Sequence, residues 1–173
     1  MSGIAVPTVL TRVILGCWLV MSWAFFVEGG NEMATRELYK TLVHRWIDEV
    51  WNKGDFALAN EPFAPTYVHR TPTATIPNLA AFKQWIGVFR AGLPDVQVTI
   101  EDLLTDGEKV VTRWVITGTH RGELLGFAPT TRQIKFTGIT IQRVVDGKIA
   151  ESWVEFDAGG LRQQLGGPSP GKP

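Results

Sequence analysis

The sequence predicts an α+β fold in which early helices cover a curved antiparallel sheet. Three observations carry this. Apolar residues recur at helical spacing over 38–51 and again over 79–89. From residue 95 onward the pattern changes to β-branched, alternating segments. Short turn signals, Thr105-Asp106-Gly107-Glu108 and Asp146-Gly147, then join neighbouring segments as hairpins. Helices followed by a run of hairpin-linked strands point to α+β rather than to alternating βαβ units.

Taken in order, residues 35–51 form the first helix. Leu38, Tyr39, Leu42, Val43, Trp46, Ile47, Val50 and Trp51 make a wide apolar stripe, with Lys40, Arg45, Asp48 and Glu49 opposite. Thr35 is its N-cap and Glu37 lies in its first turn. Asn52-Lys53-Gly54 stops it, and Asp55 caps a second short helix through Asn60. A short extended piece, Tyr67 to Arg70, ends at Thr71-Pro72. Residues 78–91 form the next helix, with Leu79, Phe82, Trp85, Ile86 and Phe89 inward, and Gly92-Leu93-Pro94 ends it. Strands are expected over 95–104, 109–120, 132–145 and 148–157, about four main strands plus the short one. Residues 121–131 make a long connection. Gly138 marks a bulge, because the apolar phase switches between Phe136 and Ile139.

Composition narrows the function. The chain has 173 residues, enough for one domain with a tail. Lys plus Arg and Asp plus Glu number 17 each, so no basic field is available for phosphate backbones and nucleic-acid binding is disfavoured. The single cysteine, Cys17, excludes an internal disulfide framework and a Cys-based zinc site. Seven tryptophans are unusual, and Trp46, Trp51, Trp85, Trp114 and Trp153 fall in the body of the chain. Large aromatics fill cores, and several together also wall apolar pockets.

Residues 1–32 differ from the rest. The apolar run 13–27 is short for a spanning helix, which needs about 20 residues. It fits a signal h-region with Arg12 as a thin positive flank, or a membrane anchor. A start at Met33 is the other reading, because a helix begins there. Translation from Met33 implies a cytoplasmic protein; retention of 13–27 implies export or membrane association. The domain is placed at 33–166, and the Gly/Pro-rich residues 167–173 are expected to be a disordered tail.

An ordered set of short stretches resembles the SnoaL-like polyketide cyclase (ester cyclase) branch of the NTF2-like superfamily. These are Leu93-Pro94-Asp95 ahead of a Val/Ile strand, Gly118-Thr119-His120-Arg121-Gly122-Glu123 with Gly126 and Pro129-Thr130, the stretch Arg143 to Ile149, Glu151, Trp153 and Gln164-Leu165-Gly166. The resemblance covers about residues 35–166. It implies a cone-shaped α+β fold, a homodimer, no metal or organic cofactor, and an intramolecular aldol step. Such a step needs a base beside a carbonyl and a donor for the developing alkoxide. It also implies that His120 helps hold the substrate. Two positions depart from the family pattern. The cyclase acid is expected on the strand after the Gly-Thr-His connection, yet 130–145 contains no Asp or Glu, and Thr140 stands near that place. The ketosteroid isomerases of the superfamily carry an Asp just before a Pro, where this chain has Thr71.

Candidate catalytic residues are therefore His120, Glu151 and Asp157. His120 is an acid, base or donor, or else a strand-end histidine satisfying a loop carbonyl. Glu151 shares a strand face with Ile149 and Trp153, and is a base if that face is concave. Its alternative is a structural carboxylate paired with Arg113 or Arg143. Asp157 faces a pocket mouth or caps the turn at 158–160. Candidate substrate-binding residues are Trp46, Tyr67, His69, Trp85, Phe89, Trp114, Phe127, Thr140 and Trp153; His44 is expected to be solvated. No metal-ligand spacing is present: His69 and His120 with a carboxylate fit no known signature. The leading function is a metal-free enzyme acting on an apolar, carbonyl-bearing small molecule by aldol-type cyclisation, isomerisation or hydrolysis. The alternatives are a small-molecule-binding domain without catalysis and a dimerising accessory domain.

Overall fold

A computed structural model describes residues 32–167. The expectations for the leader and for the last six residues of the tail concern residues outside that range. Helix α1 occupies 32–46 and continues as a π-helical stretch, Ile47–Lys53. Thr35 thus sits inside the helix rather than at its cap. A 3₁₀ turn, Leu58–Asn60, follows; its N-cap is Ala57 rather than the expected Asp55, which accepts from the backbone N–H of Ala57 at 3.0 Å. The remaining elements are β1 (Phe63–Arg70), β2 (Thr75–Ile76), α2 (Leu79–Gly92), β3 (Gln97–Asp106), β4 (Lys109–Thr119), β5 (Gln133–Val145), β6 (Lys148–Phe156) and α3 (Ala158–Gln164). Asn78 caps α2 by accepting from Ala81 at 2.9 Å.

The strands form one six-stranded sheet in the order β2-β1-β6-β5-β4-β3. Strands β3 to β6 are a meander of antiparallel hairpins. The Asp146-Gly147 turn has positive φ at both residues, the geometry that joins twisted strands tightly. The expectation of a wholly antiparallel sheet needs correction, because β1 pairs with β6 in parallel. That register is irregular between Phe63 and Val68. Pro65 lies in this stretch and has no N–H to give to the ladder.

Gly138 is not a bulge. The pairing of β4 with β5 runs without a shift from Lys109↔Arg143 to Thr119↔Gln133. Ile134, Phe136, Thr140, Gln142 and Val144 keep one phase toward the helices, and Ile139 and Ile141 remain exposed on the outer face. The glycine is there for close packing. A Cβ at 138 would run into the indole of Trp114 and stand 2.7 Å from the Glu155 carbonyl oxygen. The bulge falls instead on β6, where the register skips Ala150 between the pairs Arg143↔Glu151 and Val144↔Ile149.

The helices are fastened to the sheet by polar as well as apolar contacts. The Asn52 amide, at the π-helical end, bonds both the N–H (2.7 Å) and the C=O (3.1 Å) of Val98 on edge strand β3. Arg90 of α2 donates to the carbonyls of Trp51 and Asn52, the acceptors the helix end leaves open. Gly138→Ala should destabilise the fold by about 1–3 kcal/mol, the usual cost of forcing volume into a packed core. Urea unfolding followed by tryptophan fluorescence checks this, and an unchanged midpoint would contradict the packing role.

Candidate functional site

Between helices and sheet lies a cavity enclosing about 630 Å³ of space, its opening to solvent included. Trp46, Ile47 and Trp51 line it from α1 and its π-helical end, and Phe82, Trp85 and Phe89 from α2. The sheet contributes Tyr67 and His69 from β1, Val98 from β3, Thr112, Trp114 and Ile116 from β4, Phe136, Thr140 and Gln142 from β5, and Ser152, Val154 and Phe156 from β6. The walls are aromatic: His69 itself lies between Phe82 (ring centroids 4.7 Å apart) and Trp85 (5.3 Å).

The polar groups fall on the inward positions of adjacent strands. Register places His69 beside Ser152 and Ser152 beside Gln142 in one cross-strand row. Ser152 Oγ is 2.6 Å from His69 Nδ1 and 2.6 Å from the Tyr67 hydroxyl, while Tyr67 and His69 Nδ1 are 3.3 Å apart. One arrangement gives both hydroxyl protons of this trio an acceptor. Tyr67 donates to Ser152, Ser152 donates to Nδ1, and the ring proton sits on Nε2. The reverse order would leave the buried Tyr67 hydroxyl proton without an acceptor among the three. Burial lowers the His69 pKa to about 4, so the ring is neutral at pH 7. Burial also pushes the Tyr67 phenol upward and outweighs its hydrogen bond with Ser152, so it stays protonated.

Four polar atoms on cavity-lining residues are buried without a hydrogen-bond partner: Trp46 Nε1, His69 Nε2, Thr112 Oγ1 and Gln142 Oε1. Orphaned buried groups are costly, and four of them belong to residues around one cavity. By contrast, Thr140 Oγ1 accepts from Trp114 Nε1 at 2.9 Å. No carboxylate and no lysine or arginine is among the lining residues.

Seven expected binding residues, Trp46, Tyr67, His69, Trp85, Phe89, Trp114 and Thr140, line this cavity together. His120 does not. It is fully buried at the end of β4, its Nδ1 3.0 Å from the Thr130 hydroxyl and accepting from the Thr130 N–H at 3.3 Å. It fastens the 121–131 connection rather than facing a cavity mouth. The neighbouring motif residues do the same work. Asp95 accepts from the N–H and the hydroxyl of Thr119, both at 2.6 Å, and these bonds hold its carboxyl below the usual range. The N–H groups of Arg121 and Gly122 bond the Gly92 carbonyl at the end of α2, at 2.9 and 3.1 Å.

Glu151 lies on the outer face, because the skip at Ala150 reverses the phase that links it to Ile149. It bridges Arg143 (2.9 Å) and Arg70 (3.1 Å), and these cations, Arg143 first, hold its pKa low. Arg113, the other partner considered, bonds Glu101 and Asp102 instead. Asp157 is exposed and caps α3 through Gly160 N–H at 2.8 Å. Trp153 is on the outer face beneath Arg70, and Phe127 packs under Arg162. His44 is exposed, as expected. Thr112, Gln142 and Ser152 escape a search for titratable groups. The signal that could have found them is a polar residue at an inward, otherwise apolar strand position. Among the described residues no group of three or more His, Cys, Asp or Glu is placed to hold a metal ion, and no helix is long and apolar enough to cross a membrane.

This architecture, an α+β roll with a cavity between helices and sheet, is that of the NTF2-like, ketosteroid isomerase-like proteins. A candidate SnoaL-like polyketide cyclase from Jannaschia sp. CCS1 superposes with a TM-score of 0.71 over 76% of this chain and 94% of its own, at 21% identity. A protein of ketosteroid isomerase-like fold from Catenulispora acidiphila, solved with trimethylamine, gives 0.61 over 76% and 97%, at 19% identity. These likenesses speak to fold alone. The sequence goes further: the model of the SnoaL-like polyketide cyclase family matches residues 41–165, and the chain belongs to that family. It is 34% identical to the nogalonic acid methyl ester cyclase of Streptomyces nogalater over 94 residues, 52% of this chain and 68% of that one.

The buried imidazole makes stability depend on pH. In the unfolded chain His69 takes up its proton near pH 6.5, whereas the folded protein resists until about 4. Stability is therefore full above 6.5 and falls as pH drops from 6.5 toward 4, by about 3 kcal/mol for the whole window. Urea midpoints measured across that range should show this slope, and His69→Gln should flatten it.

Proposed function

We propose that this protein is an enzyme acting on a neutral, apolar, carbonyl-bearing small molecule, with His69 as the group that meets the carbonyl oxygen. The observation that carries this is the unpaired His69 Nε2 among the cavity walls, with Nδ1 held by Ser152 and Tyr67 behind it. A neutral imidazole N–H in an apolar cavity donates to an oxygen on which negative charge develops. Such a donor acts where water cannot compete and needs no reorganisation during reaction. Polarising a carbonyl toward its enolate is the step shared by aldol-type cyclisation and isomerisation. Membership of the cyclase family and the likeness to an ester cyclase support the same class. Ser152 and Tyr67 act through His69, fixing its tautomer. The aromatic walls orient the apolar body of the substrate.

One observation favours a second reading, a binding domain without catalysis. No carboxylate lines the cavity, so proton abstraction has no acidic side chain to serve it. The two separate on turnover assays with ketones and esters that the protein binds. The enzyme reading expects His69→Ala to lower kcat about 10²–10³-fold, the usual cost of losing one oxyanion donor. It also expects a rate that is level near neutrality and falls toward pH 4 as the ring gains its second proton. Variants that bind the same compounds but show no difference in turnover from wild type would leave the binding reading.

A further inference from the structure

Two of the orphaned atoms belong to residues outside the His69 trio, although Gln142 sits beside Ser152 in the same cross-strand row. Thr112 and Gln142 are each only 1% exposed, and both line the cavity. The sheet register fixes their relation. Gln142 pairs with Val110, and Thr112 pairs with Thr140, so Thr112 and Gln142 are diagonal neighbours on one face of β4 and β5. Diagonal neighbours have Cβ atoms about 7 Å apart, within reach of a long side chain. Yet Thr112 Oγ1 and Gln142 Oε1 bond neither each other nor any other group. Two unpaired oxygens on neighbouring strands, one of them a hydroxyl, suit one small group that donates and accepts together. A hydroxyl does both, and so fits whichever way the Gln142 amide is turned. A charged group does not fit, since no charged side chain among the lining residues compensates it.

We infer that Thr112 and Gln142 form a hydroxyl-recognition subsite: a hydroxyl of the ligand sits between them, hydrogen-bonded to the Gln142 amide and the Thr112 hydroxyl. This rests on the reading above that the ligand's carbonyl meets His69. Gln142 lies two strands from His69 in the same row, through Ser152, so the backbones behind the two groups are about 10 Å apart. The ligand class is then a neutral hydroxy-carbonyl compound with its two oxygens at separate ends of an apolar body. Both side chains are kept at a cost to the free protein, because their polar atoms are desolvated and unpaired until the hydroxyl arrives.

The test uses 6-hydroxy-1-tetralone and 1-tetralone as matched probes, with binding followed by quenching of the cavity tryptophans. The full chain should bind the hydroxylated probe about tenfold more tightly, and Gln142→Leu or Thr112→Val should bring that preference close to one. Each variant should also raise the thermal midpoint of the free protein, which shows that it folds and that the polar atom it removes was unpaired. Equal affinity of wild type for the two probes, meaning that water rather than the ligand meets these two atoms, overturns the inference. So does failure of the hydroxylated probe to bind, a preference that survives Gln142→Leu, or a lowered midpoint in either variant. A hydroxyl preference that stands while His69→Ala leaves both affinities unchanged would remove the carbonyl reading and keep the subsite.

Discussion

The parallel pairing of β1 with β6 is the constraint on which the site depends. It sets Tyr67 and His69, from the first strand, beside Ser152, from the last, across 83 residues of chain between His69 and Ser152. Without that neighbour the imidazole, buried among Phe82 and Trp85, would keep only the longer 3.3 Å contact of Nδ1 with Tyr67. With it, one nitrogen is satisfied and the other is left without a partner. The same pairing carries Glu151 to the outer face between Arg70 and Arg143, so the two faces of one strand hold quite different electrostatics. Inside, nothing charged lines the wall; outside, the carboxylate is clasped by two guanidinium groups.

Most of the fold was legible because its information is local. Helical spacing located α1 and α2, and the Asp106-Gly107 and Asp146-Gly147 signals located the hairpins. The β1–β6 pairing was not legible, since no turn joins those strands and their contact closes a loop spanning most of the domain. Phase was misread twice for a related reason. Ile139 and Ile141 look like core residues, but they lie on the outer face of an unbroken strand. On β6 the skip at Ala150 is a tertiary accommodation that hydrophobic alternation does not announce.

The site was legible in its walls and illegible in its chemistry. The expected aromatic residues Trp46, Tyr67, Trp85, Phe89 and Trp114 line the cavity, because a cavity between a helix layer and a sheet has to be lined by inward faces. Titratable residues in recognisable motifs lie elsewhere. His120, Asp95 and Thr119 stand out in the sequence, yet each spends its hydrogen bonds on fixing loops to strand ends. The unpaired polar atoms on cavity-lining residues belong to a tryptophan, a histidine in a strand with no motif around it, a threonine and a glutamine. In sequence the last two are indistinguishable from surface polar residues.

The loop fastening has a consequence for how this scaffold changes its use. The clamps at Asp95–Thr119 and His120–Thr130, with the Gly92 carbonyl between them, stabilise the top of the sheet without touching the cavity. The inward residues of β5 and β6 contribute to the cavity without touching the clamps. None of the clamp residues lines the cavity, so substitutions at 112, 140, 142 and 152 remove no hydrogen bond of the loop framework. A chain of this kind can exchange one reaction, or one ligand, for another by editing a handful of strand positions while its recognisable signature stays as it was. Sorting such proteins by activity therefore calls for comparing those inward positions rather than the loop motif.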